Sequence, residues 1–256
     1  MRKNIFFLFC LLLPALLFSQ DSIPSGVYDW RQPLKSKKSL IHTTTLFEGS
    51  VYDMEWLQMN ANELAFSKKS IKMDVSVNEE QIYFIKTGKL DIVFHDSVNI
   101  LVAGSVILLM PGEKFSIKND YAQPCTYYVM KYKSKAPVNI ERGIAAGGSF
   151  VKDWQKIEFK PSEKGGYRKY FERPTAMGKR LEMHVSTLKL DKKSHDPHTH
   201  QAEELILVMD GNTEMQIGQK FYQGKEGSIY YMGSNILHAI RNVGAVPCTY
   251  FAFQFE

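Results

Sequence analysis

The chain is poor in cysteine, with three in 256 residues, so a small disulfide-built scaffold is excluded. It has no run of five basic residues, and its net charge of +5 is scattered, so nucleic acid is not implied. No segment shows a long helical apolar period. No apolar run reaches comfortable membrane-spanning length either. What is present is 44% apolar and 23% charged, an ordinary globular balance without a disorder signature. That length suits one large domain or two modest ones.

The first twenty residues stand apart. Arg2 and Lys3 precede Ile5 to Phe18, an apolar run broken only by Pro14. This is the make-up of a secretory signal peptide over 1–20, with cleavage expected near Ser19 or Gln20. Export to the periplasm or the extracellular space follows, with no membrane span after cleavage. Without residues 1–20 the chain carries 30 basic and 27 acidic residues, a net charge of +3. Cys10 leaves with the signal. Cys125 and Cys248 remain, on strand-like runs where cysteine usually acts as an apolar filler, although an oxidising compartment also permits a bridge.

An internal repeat organises the rest. Gly104 to Asn119 aligns with Gly227 to Asn242, Pro124-Cys-Thr-Tyr127 with Pro247-Cys-Thr-Tyr250, and Gly88 with Gly211, all at one offset of 123 residues. The chain is a tandem duplication. Each copy has short runs rich in Ile, Val, Tyr and Phe, such as 82–85 and 105–110, or 205–209 and 228–232, punctuated by Gly, Asn, Asp and Lys. The expected fold class is all-β, a sandwich or small barrel of the jelly-roll kind in each copy. The Gly-rich stretch 136–153 reads as the connector between an N-terminal domain over 21–135 and a C-terminal domain over 154–256.

The sharpest local signal is His198-Thr-His200-Gln-Ala-Glu-Glu204. On a strand, His198, His200 and Glu204 share parity and face one way. Imidazole and carboxylate together suit a divalent transition metal, and His238 is the candidate fourth ligand from a distant strand. Four protein ligands leave two positions on an octahedral ion for water or substrate.

His198-x-His200-x3-Glu204-x6-Gly211 resembles the first cupin motif. Gly227 to His238 with Asn242 resembles the second, with His238 in the ligand place. The resemblance implies two tandem cupin β-barrels. It also implies one bound metal, Mn, Fe, Zn, Ni or Cu, on His198, His200, Glu204 and His238. In the first copy Val75, Val77, Gln81 (or Glu80) and Phe115 stand at those places, side chains that do not hold a divalent ion. The plan of two cupins with metal only in the second resembles ureidoglycine aminohydrolases, manganese enzymes that release ammonia from a ureido acid. The three-His-one-Glu set resembles dioxygenases of the quercetinase type. Oxalate decarboxylases are tandem cupins too, commonly with metal in both barrels. A secreted, non-catalytic binder of sugars or small acids is the third reading. A small-molecule ligand is expected in each case, and monomer and homodimer both stay open.

Around the ligand set, His184, His195, Gln216, Tyr230, Arg241 and Gln254 are candidates for the cavity wall, each with a core or surface alternative. Glu203 has opposite parity to Glu204 and is expected to face away. Met183, Met209, Met215 and Met232 are expected to fill the barrel interior.

Overall fold

The computed structural model describes residues 22–33 and 39–256. The signal peptide expected over 1–20 lies outside them. No helix among the described residues is long and apolar enough to cross a membrane.

The chain folds into two tandem jelly-roll barrels, each made of a large and a small antiparallel sheet. In the first barrel the large sheet is built around Glu80–Thr87 and Cys125–Ser134. The small one comprises Ser67–Asp74, Lys114–Asn119, Lys89–Phe94 and Ser97–Val102. In the second barrel the large sheet is built around Glu203–Asp210, Cys248–Phe255 and Leu181–Leu188. The small one is Lys220–Gly224, Thr213–Ile217 and His238–Asn242.

The large sheets are apolar on both faces, which is why their central strands read as continuous rather than alternating runs. Leu205 and Leu207 face a core shared by the two barrels, while Ile206 and Val208 face the second barrel's interior. In the first barrel Ile82 and Phe84 join the shared core, and Tyr83 and Ile85 point inward. The Phe84 and Phe251 rings meet edge-on across the shared core at 5.6 Å. Of the four methionines expected inside the barrel, Met215 and Met232 are there. Met183 lies in the shared core and Met209 packs against its margin, because their parity points them at the sister barrel.

The boundaries read from sequence need correction at two places. The stretch 136–153 is more than a connector. It carries a helix, Ile140–Ala145, capped by the Asn139 side chain, and a strand, Phe150–Lys152, that pairs with Val106–Leu109 of the first barrel. Reciprocally, Gly26–Tyr28 lies within the segment assigned to the first domain, yet it pairs with Ile229–Met232 of the second. Each barrel's large sheet is thus extended by the strand that precedes the other barrel. A tryptophan follows each exchanged strand and lies against a repeat glycine: Trp154 at Gly104 and Trp30 at Gly227. Both glycines have positive φ, and a Cβ on either would sit under 3 Å from the tryptophan.

Two buried carboxylates lock the pair. Glu80 accepts hydrogen bonds from the Tyr132 hydroxyl (2.6 Å), the Thr175 hydroxyl (2.6 Å) and the Ala176 N–H (2.9 Å). Glu203 accepts from the Tyr231 hydroxyl (2.5 Å) and the N–H groups of Tyr52 (2.9 Å) and Asp53 (3.1 Å). Glu80 and Glu203, and the two loop pairs they hold, are related by the same 123-residue offset. Each carboxylate therefore grips a loop of the opposite barrel.

Cys125 and Cys248 are free and fully buried, one in each barrel interior, so no bridge joins them. Burial pushes their thiols up to about 12 and about 11. A thiolate-directed alkylating reagent is expected to leave both unmodified in the native protein and to label both in denaturant, read by intact mass.

Candidate metal centre

The predicted ligands come from three places. Glu204 is the second residue of Glu203–Asp210 in the large sheet, and His238 opens His238–Asn242 in the small one. His198 and His200 were expected on a strand. They lie instead in a loop that runs beside His238, joined by a single antiparallel bridge. The His198 N–H donates to the His238 carbonyl (3.2 Å) and the His238 N–H to the His198 carbonyl (3.0 Å). The Asn235 N–H donates to the His200 carbonyl (2.8 Å), which holds the far end of the loop. Backbone pairing across the barrel mouth thus does what strand parity was expected to do.

The three imidazoles present ligand atoms within 4.8 Å of one another. Glu204 Oε2 lies 3.1 Å from His200 Nε2 and 3.1 Å from His238 Nε2. The opposite edges of both rings are already used. His200 Nδ1–H donates to the Ala202 carbonyl and His238 Nδ1–H to the Ile236 carbonyl, each at 2.7 Å. A carbonyl only accepts, so both protons sit on Nδ1 and the neutral rings turn bare Nε2 lone pairs toward a carboxylate. Acceptors facing acceptors are stable only with a cation among them, either an added proton on each ring or a metal ion. His198 Nδ1 adds a buried nitrogen that lacks any hydrogen-bond partner. Three imidazoles and one carboxylate, with ring N–H groups tied to backbone carbonyls, are a donor set that suits a divalent transition metal.

The electrostatics agree with a site made for positive charge. Burial works to raise the pKa of Glu204, but the hydrogen bonds and charges of His200 and His238 outweigh it and pull the pKa down to about 2. His200 is raised, chiefly by its hydrogen bond to Glu204. His198 is lowered by burial and by the three neighbouring imidazoles, His195, His238 and His200.

A cavity of about 490 Å³ opens beside this cluster, and His198, Glu204, His238, Tyr167, Lys169 and Lys164 are among the residues that line it. Of the six wall candidates, three belong to it. His195 stacks edge-on over His198 at 4.0 Å. Gln254 places its Nε2 3.4 Å from His200 Nε2, and His184 faces the cavity from Leu181–Leu188.

The other three do not reach it. Gln216 pairs with Ala239 on the outer face of the small sheet, while its neighbour Met215 points inward. Arg241 is on the same outer face and is ion-paired with Glu214 at 2.5 Å. Tyr230 is buried, with its hydroxyl occupied by Thr213 (3.0 Å) and the Tyr222 carbonyl (3.3 Å). Glu203 faces away from the site, as its parity requires. Sequence reasoning missed Glu182, which lines the cavity and bonds His184.

In the first barrel the corresponding places are filled differently. Val75 and Phe115 are packed in the core. Gln81 is tied to Tyr83 (2.8 Å) and Glu79 (2.6 Å), and Val77 is 68% exposed.

Residues 185–253 match the Cupin domain family. No curated protein matches the sequence. Among solved structures, AerE from Microcystis aeruginosa is similar, with TM-score 0.65 and 14% identity over 90% of this chain and 98% of its own. Protein Ylba from E. coli gives TM-score 0.64 and 13% identity over 88% of this chain and 87% of its own. A mutant of Bacillus subtilis oxalate decarboxylase OxdC gives TM-score 0.66 and 10% identity over 93% of this chain and 79% of its own. At these identities the likeness is one of fold.

Proposed function

With the cupin domain over 185–253 as premise, we propose that the chain is a metal-dependent enzyme for a small acid, hydrolytic in the manner of the ureidoglycine aminohydrolases. His198, His200, Glu204 and His238 hold the ion. The supporting observation is the pair of Nε2 lone pairs that converge on Glu204 Oε2. The ion, when bound, acts as a Lewis acid on a substrate oxygen or nitrogen. Gln254 and His195 shape the entrance to it, and Lys164 and Lys169 in the cavity lining supply positive charge for a substrate carboxylate. Manganese is the metal by analogy with those enzymes. The make-up of residues 1–20 puts the reaction outside the cytoplasm.

Metal analysis of the purified protein beside His200→Ala tests this directly. We expect about one equivalent in the wild type and none in the variant, with ammonia released from ureidoglycine only by the loaded protein. A metal-free wild type, or a variant that keeps the ion, defeats the assignment. The three-His-one-Glu set favours a second reading, oxidative cleavage of the quercetinase kind. Oxygen uptake with a polyphenol, in place of ammonia release, would select it. Tight binding of a small acid without turnover would select a carrier.

A further inference from the structure

Glu182 and His184 occupy alternate positions of Leu181–Leu188 and share its inward face. Neither is a predicted ligand, and both line the cavity. His184 Nδ1 lies 2.8 Å from Glu182 Oε1. A carboxylate only accepts, so the ring proton sits on Nδ1 and Nε2 is the open position. Nε2 has no hydrogen-bond partner among the described residues and is not enclosed. The His184 side chain is 32% exposed, toward the cavity, while Glu182 beneath it is 13% exposed.

The strand register places this pair relative to the metal centre. Glu182, Gln254 and Glu204 form one row across three adjacent strands, and His184, Ala252 and Ile206 form the next. Two strand spacings put Glu182 about 10 Å from Glu204, the length of a small metabolite. One molecule in the cavity therefore meets the ligand cluster and His184 together. His200, His238 and Glu204 have no free position for proton transfer, because both Nε2 atoms converge on Glu204 Oε2 and both Nδ1 atoms are bonded to carbonyls.

We propose that Glu182–His184 is the proton-transfer pair of this cavity, with His184 acting on the substrate and Glu182 as its positioning residue. The inference rests on the hydrolytic reading above. Water adds through its oxygen to the carbon that bears the amine, and one water proton passes to His184 Nε2 as the C–O bond forms. The C–N bond breaks with its electron pair on nitrogen. Nε2 returns the proton to that nitrogen, ammonia departs, and the second water proton remains on the product hydroxyl. The ring ends neutral, with Nδ1–H still on Glu182.

The charges around His184 fit this role. Burial depresses its basicity, but the hydrogen bond and charge of Glu182, with Glu204 two strands away, outweigh it, and the pKa is raised. Lys169, opposite on the next strand, works against the shift. His195 at the rim and neutral Tyr250 and Gln254 complete the surroundings.

The test uses the metal-loaded full chain and three variants, with ammonia release from ureidoglycine followed across pH and metal content measured for each. His184→Gln is expected to lose about 10²- to 10⁴-fold in kcat, the usual share of a general acid–base group, with KM changed only a few-fold and metal content as in the wild type. Glu182→Gln should shift the acidic limb of kcat/KM to lower pH. Added imidazole should restore part of the activity of His184→Ala.

Wild-type kcat in His184→Gln, or an unmoved limb in Glu182→Gln, would overturn the pair while leaving the metal centre intact. Loss of metal in His184→Gln would reduce the residue to a structural support. A metal-loaded wild type that releases no ammonia would remove the hydrolytic reading and the pair with it.

Discussion

Glu204→Gln is expected to weaken metal binding by about 10²- to 10³-fold while leaving the metal-free protein within about 1 kcal/mol of wild-type stability. The first number follows from sharing the roughly 10–16 kcal/mol of a four-ligand site among its ligands, about 2.5–4 kcal/mol each. The second follows from tautomers. In the metal-free protein, Nε2 of His200 and of His238 can face the Glu204 carboxylate only with an added proton on each ring. An amide at 204 offers N–H donors to the same nitrogens of the neutral rings, so the substitution replaces the two proton-mediated contacts by hydrogen bonds while it removes the anionic ligand. Titration with Mn²⁺ followed by calorimetry reads the affinity, and urea denaturation of the chelated protein reads the stability. Equal loss in both measurements would mark the cluster as a structural polar network instead of a metal centre.

Glu203→Ala should cost about 3 kcal/mol and lower Tm by about 6–12 °C, because it leaves the Tyr231 hydroxyl and two backbone N–H groups without their charged acceptor. Those N–H groups belong to a partly buried loop, so water recovers some of the loss. Glu80→Ala removes the equivalent grip on Thr175 and Ala176 and should destabilise similarly. The two differ at the metal. Glu203 and Glu204 are consecutive on one strand, so the inter-barrel grip of one fixes the aim of the other. Glu203→Ala should therefore weaken metal binding by about tenfold or more, the scale of losses when a ligand's support is removed. Glu80→Ala should leave it unchanged, since the first barrel contributes no ligand. Thermal melts and metal titrations of both variants check the split. Equal effects on metal affinity would refute the coupling through the 203–204 peptide.

Much of this architecture is legible in the residues. The 123-residue offset exposes two copies of one β-rich unit, and H-x-H-x3-E with His238 at the second motif names the residues that converge. The outward placement of Arg241 was also readable, since it stands an odd number of residues from inward-facing His238 on one strand. So was that of Gln216, the strand neighbour of Met215, whose side chain was expected inside. Tyr230 has the right parity, but Thr213 and Tyr222 take its hydroxyl, a fact of packing that no pattern carries. The exchanged strands, at three residues each, are too short to show a period. Glu182 belongs to no motif and shows itself only through its bond to His184.

The matched clamps and exchanged strands have the form of an isologous two-fold interface, in which each partner offers the other the same surface. Joined in one chain, the two partners are made in equal number and never separate by dilution. Selection can then act on them unequally. A homodimer of one cupin must keep every substitution twice, in both cavities, at once. Here Phe115 and Val75 could trade a cavity for core packing in one half while His198 and His238 kept it in the other. The first barrel has become a permanent dimer partner, and its investment is in holding Glu203 still.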